Sequence, residues 1–299
     1  MYKGIKEEKN SVLVYGLRDF ELKDIFECGQ CFRWNPEEDG SYSGVAFGRA
    51  VNILYEKEGD REEGTLIIRN STAEDFENIW KKYFDLERDY GQIKEELSEN
   101  DEIMAKAVEY GRGIRILNQD EWETQISFIL SQNRNIPLIK KSIEEICRRY
   151  GEPVYDFNGN IRYAFPGPEV LADVSEEELS ECRLGYRARY VTETSKVIAG
   201  ETDRLYSMTK ASYKEALDYL TGLCGVGPKV ANCILLFSME KYESFPIDVW
   251  VRRLMSALYG TDENNLKEIR EYSDKKFGRL GGFAQQYLFY YARENNIGK

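Results

Sequence analysis

One stretch, Leu223-Cys224-Gly225-Val226-Gly227-Pro228-Lys229-Val230-Ala231-Asn232-Cys233, constrains this chain more than any other. Helical periodicity over Ser212–Leu223 precedes it, and Pro228 suits the first position of a second helix. The two glycines between them permit positive φ and close backbone approach, so the segment reads as helix, tight hairpin, helix. Free N–H groups at the start of the second helix would donate to a DNA phosphate without any basic side chain. Gly225, Val226 and Gly227 are therefore candidate DNA contacts. Taken alone, a G-x-G of this kind fits an ordinary turn between helices equally well.

The next motif along the chain narrows the choice. Sixteen residues after Lys229 begins Phe245-Pro246-Ile247-Asp248-Val249-Trp250, which opens another helix with Asp248, nineteen residues from the lysine, as its N-cap. A lysine on the first turn of one helix and a carboxylate opening the next suit glycosidic cleavage by an amine. The carboxylate stabilises an oxocarbenium-like sugar or shuttles protons while the amine attacks. The positive end of the lysine's helix favours the neutral amine. The chain contains no histidine, which removes Ser-His and Cys-His chemistry.

The net charge of −12 runs against nucleic-acid binding, but it is unevenly spread. Residues 201–299 carry 14 basic and 13 acidic side chains, so the acidic excess lies outside the motif-bearing third. Six cysteines are present, and only Cys28 and Cys31 have metal-like spacing; with no second pair to complete a site, they are expected to be reduced thiols. No redox cofactor or catalytic metal is expected. Apolar runs are too short to span a bilayer and the N-terminus lacks a signal core, so a soluble, intracellular and monomeric protein is expected.

Up to about residue 100 the pattern is strand-like, with short runs at Val12–Tyr15, Gln30–Trp34, Tyr42–Phe47, Val51–Tyr55 and Thr65–Arg69. Helical spacing predominates from Ala73, as in Asp75–Phe84, Glu121–Ser131 and Ile136–Tyr150. The expected class is α+β. An N-terminal antiparallel β domain (1–100) packs on a helical domain (101–299).

Leu223 to Asp248 resembles the helix–hairpin–helix and Gly/Pro-Asp motif of base-excision DNA glycosylases, and the whole chain is most similar to the 8-oxoguanine DNA glycosylases. Cys28-Gly29-Gln30-Cys31-Phe32-Arg33-Trp34 resembles that family's N-terminal Gly-Gln-x-Phe-Arg-Trp segment, whose glycine carbonyl accepts N7–H of the oxidised base. Normal guanine has a bare acceptor at N7, so this carbonyl discriminates. Ser131-Gln132-Asn133-Arg134-Asn135 resembles the asparagine-rich loop that contacts the opposite base, which assigns Asn133 to DNA. Leu184 to Tyr190 matches the segment with a wedge tyrosine, Tyr186, and an opposite-base arginine, Arg187. By position, Gln285 bonds the base's Watson–Crick edge, Phe289 stacks on one face and Cys233 packs on the other.

The resemblance further implies that Lys229 displaces the base, forms a Schiff base and nicks the strand by β-elimination, with Asp248 stabilising charge. Its substrate would be double-stranded DNA containing oxidised guanine, met in the cytoplasm of a prokaryote or the nucleus of a eukaryote. Trp250, also assigned to the DNA face, stands where many members have histidine, and Leu138 where eukaryotic members have a second arginine. No cysteine follows Cys233, so an iron–sulfur cluster is not expected. The carbonyls of Thr221, Leu223 and Val226 are candidates to hold a structural cation. Two alternatives stay open on the sequence: a monofunctional alkylpurine glycosylase, and a non-catalytic DNA-binding module.

Overall fold

A computed structural model describes residues 2–57, 59 and 63–298. Six strands build the N-terminal sheet: β1 (Gly4–Glu8), β2 (Ser11–Arg18), β3 (Trp34–Pro36), β4 (Tyr42–Ala46), β5 (Arg49–Lys57) and β6 (Glu63–Arg69). They are antiparallel throughout, in the order β1-β2-β6-β5-β4-β3. Alternation decides which face is covered. Val12, Val14, Leu66 and Ile68 point into a core shared with Phe26, Trp34, Trp80 and Phe84.

The helices that matter for the site are α1 (Leu22–Glu27), α2 (Tyr90–Ser98), α3 (Glu102–Tyr110), α4 (Glu121–Ser131), α5 (Ile136–Tyr150), α6 (Arg187–Gly200), α7 (Tyr213–Thr221), α8 (Pro228–Ser238), α9 (Val249–Tyr259), α10 (Leu266–Phe277) and α11 (Gly281–Glu294). Many begin on a side-chain cap, as the sequence pattern implies: Asp120 for α4, Asn135 for α5, Ser212 for α7 and Asp248 for α9. Segment 73–83 is one helical stretch with a π-turn over Phe76–Trp80. No helix among the described residues is long and apolar enough to cross a membrane.

The strand expected at Gln30–Trp34 is instead an irregular loop that becomes a strand only at Trp34. Gly29 has φ +91°, and the buried Gln30 side chain anchors the loop beyond it. Its amide donates to the carbonyls of Ile25 and Arg115, both at 2.8 Å, and its Oε1 accepts from the Leu117 N–H at 2.9 Å. Such bonds replace the ladder a strand would have made.

The two units interpenetrate at their junction. Tyr90, Ile93 and Leu97 of α2, together with Cys28 and Phe32, pack into the helical core although they precede residue 101. Arg115 is fully buried there, donating to the carbonyls of Asp19, Asp85 and Arg18, with its guanidinium 4.4 Å from the Tyr90 ring centre. These backbone acceptors tie strand, loop and helix together at one charge. A small hairpin, Pro153–Tyr155 with Ile161–Tyr163, was not legible in the sequence.

Candidate active site

The hairpin forms as its residues require. α7 ends at Thr221, the Val226 N–H donates to the Leu223 carbonyl at 3.2 Å, and α8 starts at Pro228. That bond already engages one of the three carbonyls considered for a cation. Gly225 has φ +74°, and a Cβ there would lie 2.5 Å from the Tyr190 ring, so only glycine fits. Gly227 is the N-cap of α8 but brings no side chain, leaving the first-turn amides without a side-chain acceptor.

Lys229 lies on the first turn of α8, half-buried. Its ammonium lies over the Phe128 ring, 5.6 Å from the centre. One turn on, Cys233 is buried; burial pushes its thiol pKa up, Lys229 pulls it down, and Asp248 adds to the rise. Cys233 on α8 and Val251 on the first turn of α9 belong to the same buried core. The Asp248 carboxylate is oriented by accepting the Val251 N–H at 2.8 Å.

A second group gathers around Gly29. The space beside its Cα is closed by the Phe289 ring, 3.5 Å from where a Cβ would sit. The preceding carbonyl, of Cys28, accepts 2.8 Å from the Gln286 amide, and the carbonyl of Glu27 accepts 2.6 Å from Arg293. α11 therefore grips the backbone on which Gly29 sits. Gln285 on that helix is buried, and its Oε1 has no hydrogen-bond partner. Phe32 links the two groups, because its ring meets Phe128 edge-on at 5.5 Å.

Most of the remaining expected residues are exposed. Asn133 is exposed at φ +50°, Tyr186 is 55 % exposed, and Trp250 and Leu138 are also exposed. Arg187 does not project with them. Its guanidinium is buried, donating to the Gln132, Asn133 and Leu184 carbonyls while lying 4.3 Å from the Tyr186 ring centre. In this conformation it braces the asparagine loop. Gln132 in turn donates to the Gly225 carbonyl at 2.9 Å. Sequence reasoning passed over Gln132, Gln286, Phe32 and Phe128; buried amides within apolar helices were the available signal for Gln286. A cleft of about 410 Å³ opens elsewhere, lined by Arg33, Asn35, Lys140 and Asp156, and holds neither Lys229 nor Asp248.

Comparison with known proteins gives the family. Residues 12–124 match the 8-oxoguanine DNA glycosylase N-terminal domain, and residues 126–279 match the HhH-GPD superfamily of base excision DNA repair proteins. A probable N-glycosylase/DNA lyase of Methanothermobacter thermautotrophicus is 31% identical, over 93% of this chain and 95% of that protein. The N-glycosylase/DNA lyase of Saccharomyces cerevisiae is 30% identical, over 90% of this chain and 82% of its own. The Clostridium acetobutylicum 8-oxoguanine glycosylase/lyase, solved with double-stranded DNA containing cytosine opposite 8-oxoguanine, superposes with a TM-score of 0.93 at 46% identity, covering 99% of both chains. The chain thus belongs to the 8-oxoguanine DNA glycosylases of the HhH-GPD superfamily of base excision DNA repair proteins.

Proposed function

We propose that this protein is a bifunctional glycosylase/lyase that flips 8-oxoguanine out of duplex DNA, excises it through Lys229 and nicks the strand. The observation that carries this reading is Lys229, half-buried on the first turn of α8 behind the Gly225–Gly227 hairpin, with Asp248 capping the next helix, α9. The lysine also separates it from glycosylases that only activate water.

Once its ammonium has given up a proton, the Lys229 amine attacks C1′. The bond from C1′ to N9 breaks, its electron pair leaves with the base, and the proton released from Nζ neutralises that base. Asp248 is held by its helix where it can stabilise positive charge building on the sugar. Ring opening then sends the C1′–O4′ pair to O4′, which gains a proton, and leaves an iminium between C1′ and Nζ. Loss of a C2′ proton expels the 3′ phosphate, which is the β-elimination step.

Recognition rests on the second group. The Gly29 carbonyl accepts the N7–H that only the oxidised base carries. Gln285 Oε1, a buried acceptor without a partner, receives a donor from the Watson–Crick edge, which accounts for an otherwise costly orphan. Phe289 and the neutral Cys233 thiol cover the two base faces. Asn133, Tyr186, Trp250 and the hairpin of Gly225, Val226 and Gly227 face the duplex, with Arg187 set behind them.

The deciding experiment is borohydride reduction with duplexes containing 8-oxoguanine. A covalent protein–DNA adduct is expected. Excision without an adduct would replace this reading by a water-activating one, and binding without excision by a non-catalytic one.

A further inference from the structure

We propose that Phe128 is a positioning residue for the nucleophile: its ring face holds the Lys229 ammonium and then the iminium that replaces it. This rests on the reading of Lys229 as the attacking amine. By sequence, Phe128 is one more apolar residue of α4, and it is 3 % exposed. Yet the Lys229 Nζ lies 5.6 Å from its ring centre, within the roughly 6 Å at which an aromatic face attracts a cation.

The ring is not free to turn away. Phe237 stacks on it at 5.5 Å with 17° between planes, and Phe32 meets it at 5.5 Å and 66°. Phe32 lies three residues beyond Gly29, so the lesion-reading loop and the nucleophile share one aromatic wall. No carboxylate pairs with Lys229 among the described residues, and its hydrogen bond goes to the Cys233 sulfur one turn along α8. That matters chemically. A carboxylate partner would pin the ammonium and have to be broken before attack, whereas a π face attracts the charge without taking a hydrogen bond from it. The same face serves twice, because ring opening recreates a cation on Nζ. Attraction to the cation at both stages keeps Nζ at one place through the sequence.

The test conserves shape while draining the ring's quadrupole. Phe128 is replaced by mono-, di- and trifluorinated phenylalanine, alongside Phe128→Leu, in the full-length protein. Melting temperature, DNA affinity by anisotropy, single-turnover base release and borohydride trapping are measured. Trapping, which reads the iminium, should fall stepwise with each fluorine, reaching about two- to thirtyfold, while base release, which needs the deprotonated amine, does not fall and affinity and melting temperature hold across the fluorinated series. Equal trapping across that series would overturn the proposal, even if Phe128→Leu trapped poorly, since packing alone would then explain the leucine variant. Failure of the unsubstituted protein to trap would instead sink the Lys229 reading, so the two failures are distinguishable.

Discussion

The side-chain amide of Gln132 donates a 2.9 Å hydrogen bond to the carbonyl oxygen of Gly225. The loop expected at the opposite base and the hairpin expected at the phosphate are thereby one unit. Arg187 extends it by donating to the Gln132 carbonyl, and Thr194 on the same helix donates to the Cys224 carbonyl at 2.9 Å. A disturbance at the hairpin should therefore be felt at the loop.

Gly225→Ala tests that coupling. The added methyl meets Tyr190 at a distance no packed atoms tolerate, and its backbone sits at φ +74°. Loss of about 1–3 kcal/mol of stability and at least a tenfold loss of DNA affinity are expected. Gly227→Ala, with open space around its Cβ, should melt within a few degrees of the parent. Equal behaviour of the two variants in thermal melts would contradict the steric account.

Lys229→Gln should fold and bind lesion DNA normally, because glutamine is a good helix former and the position is only half-buried. Base release, trapping and nicking should all disappear. Residual trapping at the parental level would mean that another amine attacks.

Salt dependence reflects the charge distribution. If helix N–H groups supply much of the phosphate binding, few counterions are displaced by lysine and arginine. The slope of log affinity against log salt should correspond to roughly 3–5 phosphates. A slope near ten, measured by anisotropy titration, would assign binding to a basic side-chain surface.

Opposite-base choice should be loose. Leu138 is 43 % exposed on the first turn of α5, where it can pack on any base face but cannot read hydrogen bonds, and Arg187 is turned inward. One polar readout is worth about 1–3 kcal/mol, so selectivity should relax roughly 5- to 150-fold and excision opposite adenine should be measurable. Single-turnover rates on the four duplexes decide it, and a cytosine preference above about a thousandfold would refute it. Leu138→Arg should restore selectivity.

Glu123 introduces a pH dependence. Burial pushes its carboxyl up to about 7, against the opposing pull of Arg33 at 3.9 Å, and Asp120 adds to the rise. An acid whose folded pKa exceeds its unfolded one binds its proton more tightly when folded. Its contribution to stability therefore falls as pH rises from about 4.5 to about 7, by at most ~3 kcal/mol. Glu123→Gln removes that slope, so its stability relative to the parent should grow between about pH 5 and pH 8 in urea titrations. A constant difference would show that Glu123 is already ionised in the folded state.

By itself, the sequence determined the features set by short-range sterics and capping. Pro228 starts α8, Asp248 and Asn135 cap their helices, and the hairpin glycines specify their turn, because each answer depends on atoms a few residues away. The residue types around Lys229 were legible for the same reason. Tertiary structure alone decided the rest. Gln30 looked like a strand residue until its amide bonded Ile25 nearby and Arg115 and Leu117 from a distant segment, and Arg187 became a brace of the asparagine loop only where the Gln132 carbonyl took its donors. Gln286 reaches Cys28 across 258 residues, and Phe128 becomes more than core only where Lys229 arrives over its ring. Buried polar groups must find partners and aromatic rings must find neighbours, and which ones they find is settled when separate elements pack.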